Sequence, residues 1–143
     1  MIDNACSALG TREKPTMNIA HVALWTKDLD GAAAFWVKFF GATVGDPYHS
    51  KRREGFVSRF VTLPGNPVRI ELMTGPWIGG DGRIEAAGWD HVALSCGSVE
   101  AVDALADRCQ ADGRLVSPPR RTGDGYYEAV ISMPDGTRIE ITG

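Results

Sequence analysis

The chain repeats itself. Residues 21–24 read His-Val-Ala-Leu, and the same four residues return at 91–94, 70 positions on. Arg69-Ile70-Glu71-Leu72 is answered by Arg138-Ile139-Glu140-Ile141, 69 positions on. In between, Gly55 matches Gly125 and Pro64 matches Pro134, so the register slips by one residue only after Pro64. A chain of 143 residues built this way is too short for two ordinary domains. It suits two half-domain modules that share one core.

Both copies predict the same order of elements. In the first, Ile19 to Trp25 alternates as a strand does, and Asp28 or Asp30 caps a helix that carries Ala32, Ala33, Phe35, Trp36, Phe39 and Phe40 and stops at Gly41. Extended stretches follow at about 43–48, 55–63 and 68–74, separated by turns rich in Gly, Pro and charge. In the second, 89–95 reads as a strand, and Ser98 caps a helix with Val99, Val102, Leu105, Ala106 and Cys109 on one face, ended by Gly113. Strands at about 114–117, 126–133 and 137–142 complete it, the last two joined by the Pro134-Asp135-Gly136-Thr137 turn. The expectation is an α+β fold of two tandem βαβββ modules, 18–75 and 88–142, within a single domain 18–142. Residues 1–17 read as a flexible polar lead-in, and 75–88 as the linker.

Strand parity turns the repeat into a candidate site. Side chains alternate between the faces of a strand, so Val22, Leu24, Ile70, Leu72, Val92, Leu94, Ile139 and Ile141 fall on one face. His21, Glu71, His91 and Glu140 fall on the other. The large aliphatics belong under the helices, on the convex side of a curved, partly closed mixed sheet. The two imidazoles and two carboxylates then face its concave side. Such a donor set suits a divalent first-row ion, zinc or nickel first, with cobalt, manganese or iron also compatible. The plain alternative is four ordinary polar residues, since Arg69 and Arg138 share the glutamates' parity and can pair with them. The metal reading is favoured because equivalent positions in both copies carry the same residue types. Trp25 and Met73 share the ligand parity and either line a pocket, with Phe60 and Tyr126 as further candidates, or close the floor of the sheet.

Other features narrow the function. With 15 Lys and Arg against 18 Asp and Glu, the net charge is −3. Charges of both signs are mixed along the chain, which gives no electrostatic case for nucleic acid or an anionic membrane. No apolar run approaches the roughly 18–20 residues of a membrane span. The three cysteines, Cys6, Cys96 and Cys109, form neither a metal-type nor an even disulfide pattern, which points to reduced thiols and a cytoplasmic protein. Glu128 reads more simply as a surface carboxylate than as an extra acid or base. Arg120, Arg121 and 122–125 read more simply as a solvated loop than as a lid.

Asp90-His91-Val92-Ala93-Leu94-Ser95, the ending Pro134-Asp135-Gly136-Thr137-Arg138-Ile139-Glu140-Ile141 and the His/Glu/His/Glu order together resemble the vicinal oxygen chelate superfamily. Within it, the ligand order is most similar to bacterial glyoxalase I, lactoylglutathione lyase. The resemblance covers about 18–142. It implies the vicinal oxygen chelate fold, a metal ligated by His21, Glu71, His91 and Glu140, and a proton moved by way of a metal-chelated enediolate. It makes Glu140 the general base and Glu71 its counterpart. It also implies a homodimer acting on a small-molecule substrate. Glyoxalase I usually has Arg four residues after the first ligand and Asn four after the second, both holding glutathione. This chain has Trp25 and Gly75 there, which implies a substrate that is not glutathione-based, smaller or more aromatic. The competing readings are an acyl-CoA epimerase, an extradiol-type dioxygenase, or a non-catalytic antibiotic-binding resistance protein. Glu71 speaks mildly against the first two, and the full ligand set against the last.

Overall fold

The structure, a computed structural model, describes residues 17–80 and 87–143. The expected lead-in, apart from Met17, and the middle of the expected linker lie outside these residues.

The first module runs β1 (His21–Trp25), α1 (Leu29–Phe40), β2 (Thr43–Val44), β3 (Tyr48–His49), β4 (Val57–Thr62) and β5 (Arg69–Thr74). The second runs β6 (His91–Ser95), α2 (Val99–Ala111), β7 (Leu115–Arg121), β8 (Tyr127–Ser132) and β9 (Arg138–Thr142). The single stretch expected at 43–48 divides into two short strands, which pair with opposite ends of β4. The strand expected at 114–117 runs on through Pro118 and Pro119 to Arg121. Proline cannot donate to a ladder and is tolerated at a sheet edge or bulge. Strand β7 is the edge of its sheet, and its register with β8 shifts on either side of Ser117.

Local chemistry sets the helix ends. Asp28 accepts a hydrogen bond from the Gly31 amide at 2.9 Å, and Ser98 Oγ accepts one from Ala101 at 3.2 Å. Each satisfies a backbone donor that the first helical turn leaves open. Gly41 ends α1 in the left-handed region, φ 62°, with its amide donating to the Val37 carbonyl.

In each module the first strand pairs in parallel with the last, β1 with β5 and β6 with β9, and a helix makes the crossover such pairing needs. The sheet orders are β1-β5-β4-β2, with β3 also on β4, and β6-β9-β8-β7. The expected partly closed sheet is therefore two mixed sheets that do not close on each other. Strands β1 and β6 each pair on one edge only among the described residues.

The parity expectation holds. Ile70, Leu72, Ile139 and Ile141 are buried beside Trp36, Phe39, Val102 and Leu105 in one core fed by both modules. Full burial of such side chains stabilises by about 1.5–3 kcal/mol each. The helix ends join the modules further. Lys38 Nζ lies 2.7 Å from Asp112 Oδ1, and Arg108 Nη2 donates to the Lys38 carbonyl at 2.6 Å. That last bond places a cation at the negative end of α1.

Candidate metal centre

The register puts His21, Ala23 and Trp25 beside Arg69, Glu71 and Met73, and Phe60 opposite Glu71. All lie on the face away from the helix. His21 Nε2 stands 3.7 Å from Glu71 Oε2, and the imidazole meets the Phe60 ring edge-on at 5.5 Å. Arg69 does not replace the imidazole as the carboxylate's partner; its guanidinium lies over Phe60, 4.2 Å from the ring centre.

The second module repeats the pair more tightly. His91 Nε2 is 3.3 Å from Glu140 Oε2, while Nδ1 lies 2.7 Å from Asp90 Oδ2. A carboxylate on the far nitrogen fixes the imidazole's orientation, as at many metal-ligating histidines. The bond to His91 holds the Asp90 carboxyl below its usual range, with Arg138 helping. Glu140 is perturbed upward, first by burial and then by the negative charge of Glu128. Glu128 is thus more than a surface carboxylate. Its side chain is only 12% exposed and lies on the Glu140 face, and Arg120 Nη2 holds it at 3.2 Å from β7. The signal was available: Glu128 has the parity of Val130, which pairs with Glu140.

Both histidines line one cleft of about 420 Å³ between β1 and β6, with Val22, Leu24, Val92 and Asp90 also on its walls. The four donors, expected in one cup, form two separate pairs. Among the described residues no three His, Cys, Asp or Glu side chains are gathered closely enough to hold an ion. The physical reason is the sheet topology: β1 and β6 share no ladder that would bring the pairs together. The His91–Glu140 pair, at 3.3 Å, fits as half of a coordination shell, and the His21–Glu71 pair, at 3.7 Å, is a few tenths of an ångström wider. Two donors about 2.1 Å from one ion, at tetrahedral or octahedral angles, lie roughly 3.0–3.4 Å apart.

The candidate pocket residues divide. Phe60 touches His21, and Trp25 joins a different group at the far end of β1. Met73 is half-buried next to Trp25 in the register, while Tyr126 stands exposed just ahead of β8. In that far group Trp25 meets Phe56 at 5.9 Å and Trp77 at 6.4 Å, both edge-on. Arg53 lies over all three rings, at 4.1 Å from Trp77, 5.4 Å from Trp25 and 5.9 Å from Phe56. Trp77 falls in the stretch expected as linker, and neither it nor Arg53 has a like residue in the repeat to draw attention to it. Cys109 has the expected place on the buried stripe, where burial pushes its thiol up to about 11. Cys96 is half-buried and shifted upward for the same reason.

A family model described as the glyoxalase/bleomycin resistance protein/dioxygenase superfamily matches residues 18–141. An uncharacterised protein of Pseudomonas aeruginosa is 33% identical over 127 residues, 87% of this chain and 86% of that protein. A glyoxylase/bleomycin resistance protein/dioxygenase domain from Frankia superposes with a TM-score of 0.76 at 19% identity, over 90% of this chain and 98% of that one. A variant of glyoxalase I from Zea mays gives 0.69 at 20% identity, over 87% of this chain and 43% of that one.

Proposed function

The chain belongs to the glyoxalase/bleomycin resistance protein/dioxygenase superfamily, and from that premise we propose that it is a metal-dependent lyase or isomerase of the glyoxalase I type whose substrate is not glutathione-based. The observation that carries this reading is the duplicated His–Glu pair, His21 with Glu71 and His91 with Glu140, on matching strands of both modules. The two pairs occupy equivalent positions of the two parallel strand pairs, and the His91–Glu140 spacing suits two ligands of one ion.

His21, Glu71, His91 and Glu140 would hold the metal, zinc or nickel by the balance of nitrogen and oxygen donors. When bound, it supplies Lewis-acid stabilisation of negative charge on a substrate's vicinal oxygens. The chain's own residues do the rest. Glu140 accepts a proton from the substrate carbon at its carboxylate oxygen, and Glu71 serves as its counterpart on the opposite wall. Asp90 keeps the His91 ring turned so that Nε2 faces the site. Arg120 fixes Glu128 beside Glu140, which holds that wall acidic.

We read the working form as a cytoplasmic homodimer that turns over a small molecule. Among the described residues one edge of β1 and one of β6, each bearing a proposed ligand histidine, have no strand partner, which supports assembly with a second copy, because bare strand edges are seldom left open. No helix among the described residues is long and apolar enough to cross a membrane.

The test is elemental analysis of protein prepared without chelators, followed by assay with methylglyoxal and a range of thiols. Stoichiometric metal, and turnover lost in Glu140→Gln, are expected. Absence of metal together with unchanged ligand binding in Glu140→Gln sinks the enzyme reading. Turnover confined to a CoA thioester moves the protein to the epimerases.

A further inference from the structure

Trp25 and His21 lie on the same face of β1, four residues apart, or about 13 Å at the rise of a strand. The cluster of Trp25, Phe56, Trp77 and Arg53 therefore sits within one substrate's length of the first His–Glu pair. Glycines permit its assembly. A Cβ on Gly75 would meet the Trp77 ring at 2.5 Å, and one on Gly55 would meet Pro76 Cδ at 2.7 Å. With no side chain at either position, the 76–77 turn folds back over the end of β5, and the loop carrying Arg53 packs against it.

The cluster is not a demand of the fold. The second module is an internal control: Ser95, Gly123 and Tyr126 stand where the first has Trp25, Arg53 and Phe56. It nevertheless forms the same parallel pair and the same antiparallel neighbour. Nor is the cluster core. Trp25 is 39% exposed and Trp77 42%, so their rings are open to a ligand. Among the described residues no carboxylate pairs with the Arg53 guanidinium, which leaves a positive charge resting on aromatic faces.

We propose that Trp25, Phe56, Trp77 and Arg53 form a subsite for a planar aromatic carboxylate, which holds the non-reacting end of the substrate. This rests on the reading of the His–Glu face as the reacting site. A ligand ring takes over the Trp77 face that the guanidinium covers, with edges meeting Trp25 and Phe56 in the geometry aromatic groups prefer. The guanidinium turns on its flexible stem to receive the ligand's carboxylate with two parallel N–H donors. A cationic ring is repelled, and an aliphatic acid lacks the stacking.

Calorimetric titration of metal-free protein with 2-naphthoate, 2-naphthylmethanol and cyclohexanecarboxylate tests this apart from any metal chemistry. 2-Naphthoate should bind roughly 10-fold or more tightly than either comparator, the order expected when a charge-assisted bond or a stacked ring is lost. Arg53→Gln should abolish the preference for the acid over the alcohol, and Trp77→Leu the preference for naphthoate over the cyclohexyl acid. Circular dichroism melts of both variants show whether the fold survives. Equal binding of the three ligands, or variants that lower the melting temperature without changing the two ratios, overturns the subsite. If naphthoate binds as stated and the protein carries no metal, the subsite stands and the metal reading falls. If metal is present and naphthoate shows no preference, the subsite falls alone.

Discussion

Replacing Gly75 by Ala tests the first module at its tightest point. The backbone there is not in the left-handed region, so alanine can adopt it. The obstacle is the Trp77 indole, whose Cζ2, Cη2 and Cε2 atoms would lie 2.5, 2.6 and 2.7 Å from the new methyl. Carbon atoms prefer about 3.5–4.0 Å, and the ring is the movable end of a side chain, so the ring yields by roughly 1 Å rather than the strand. It then gives up the edge contact to Trp25, of order 0.5–1.5 kcal/mol. It also loosens the stack under Arg53, of order 0.5–1 kcal/mol at an exposed site. Against this, alanine stiffens the unfolded chain, which favours folding by about 0.4–1 kcal/mol. The net expectation is a loss of about 1 kcal/mol, a fall of roughly 3–5 °C in Tm for a domain of this size. Urea denaturation gives the free energy, and the indole N–H signals of the four tryptophans in an NMR spectrum give the cause. Those of Trp25 and Trp77 should move while that of Trp36, buried on α1, stays. A variant more stable than the parent, with all four signals in place, refutes the packing of Trp77 on Gly75.

Three further outcomes are expected. Asp90→Asn should weaken metal binding by about 10–100-fold, because the His91 ring loses its orienting carboxylate; competition with a chelator measures it, and an unchanged affinity shows that His91 needs no such support. Cys109 has a folded pKa of about 11 against an ordinary 9.0, so the unfolded chain releases its proton first. Stability should fall as pH rises through that interval, by up to about 1.4 kcal/mol per pH unit from this thiol, and Cys109→Ala should flatten the slope in urea melts between pH 9 and 11. Trp36 is fully buried, and its indole N–H has no hydrogen-bond partner among the described residues. Trp36→Phe should therefore cost less than a typical large-to-small core change, staying below about 2 kcal/mol, since an unmet donor goes with the lost volume; a loss above about 3 kcal/mol shows that the donor is satisfied.

Much of this was legible in the sequence because duplication states each constraint twice. The paired Ile70 and Ile139, Leu72 and Ile141, and the caps Asp28 and Ser98 each have a counterpart at the repeat distance, and all are placed as periodicity and capping chemistry require. What the repeat leaves unsaid was harder to read. That β7 continues through Pro118 and Pro119 depends on its being an edge, which is a property of the sheet and not of the segment. That the two His–Glu pairs stand apart depends on how two sheets face each other, which no local pattern encodes. Arg53 and Trp77 are brought together by two loops whose close approach is eased by glycine at 55 and 75. Glu128 had the right parity, yet its ion-pair partner, Arg120, lies across the strand pair.

Because β1 and β6 face each other across a cleft without sharing a ladder, a change in one sheet does not shift the rungs of the other. A bulge, an enlarged loop or a bulky ring on one side meets no hydrogen-bonded rung that would carry the change to the imidazole on the far side. The first sheet has accumulated rings and a stray cation, and the second has accumulated acids. On the proposed reading this broken symmetry divides gripping from proton handling, one to each sheet.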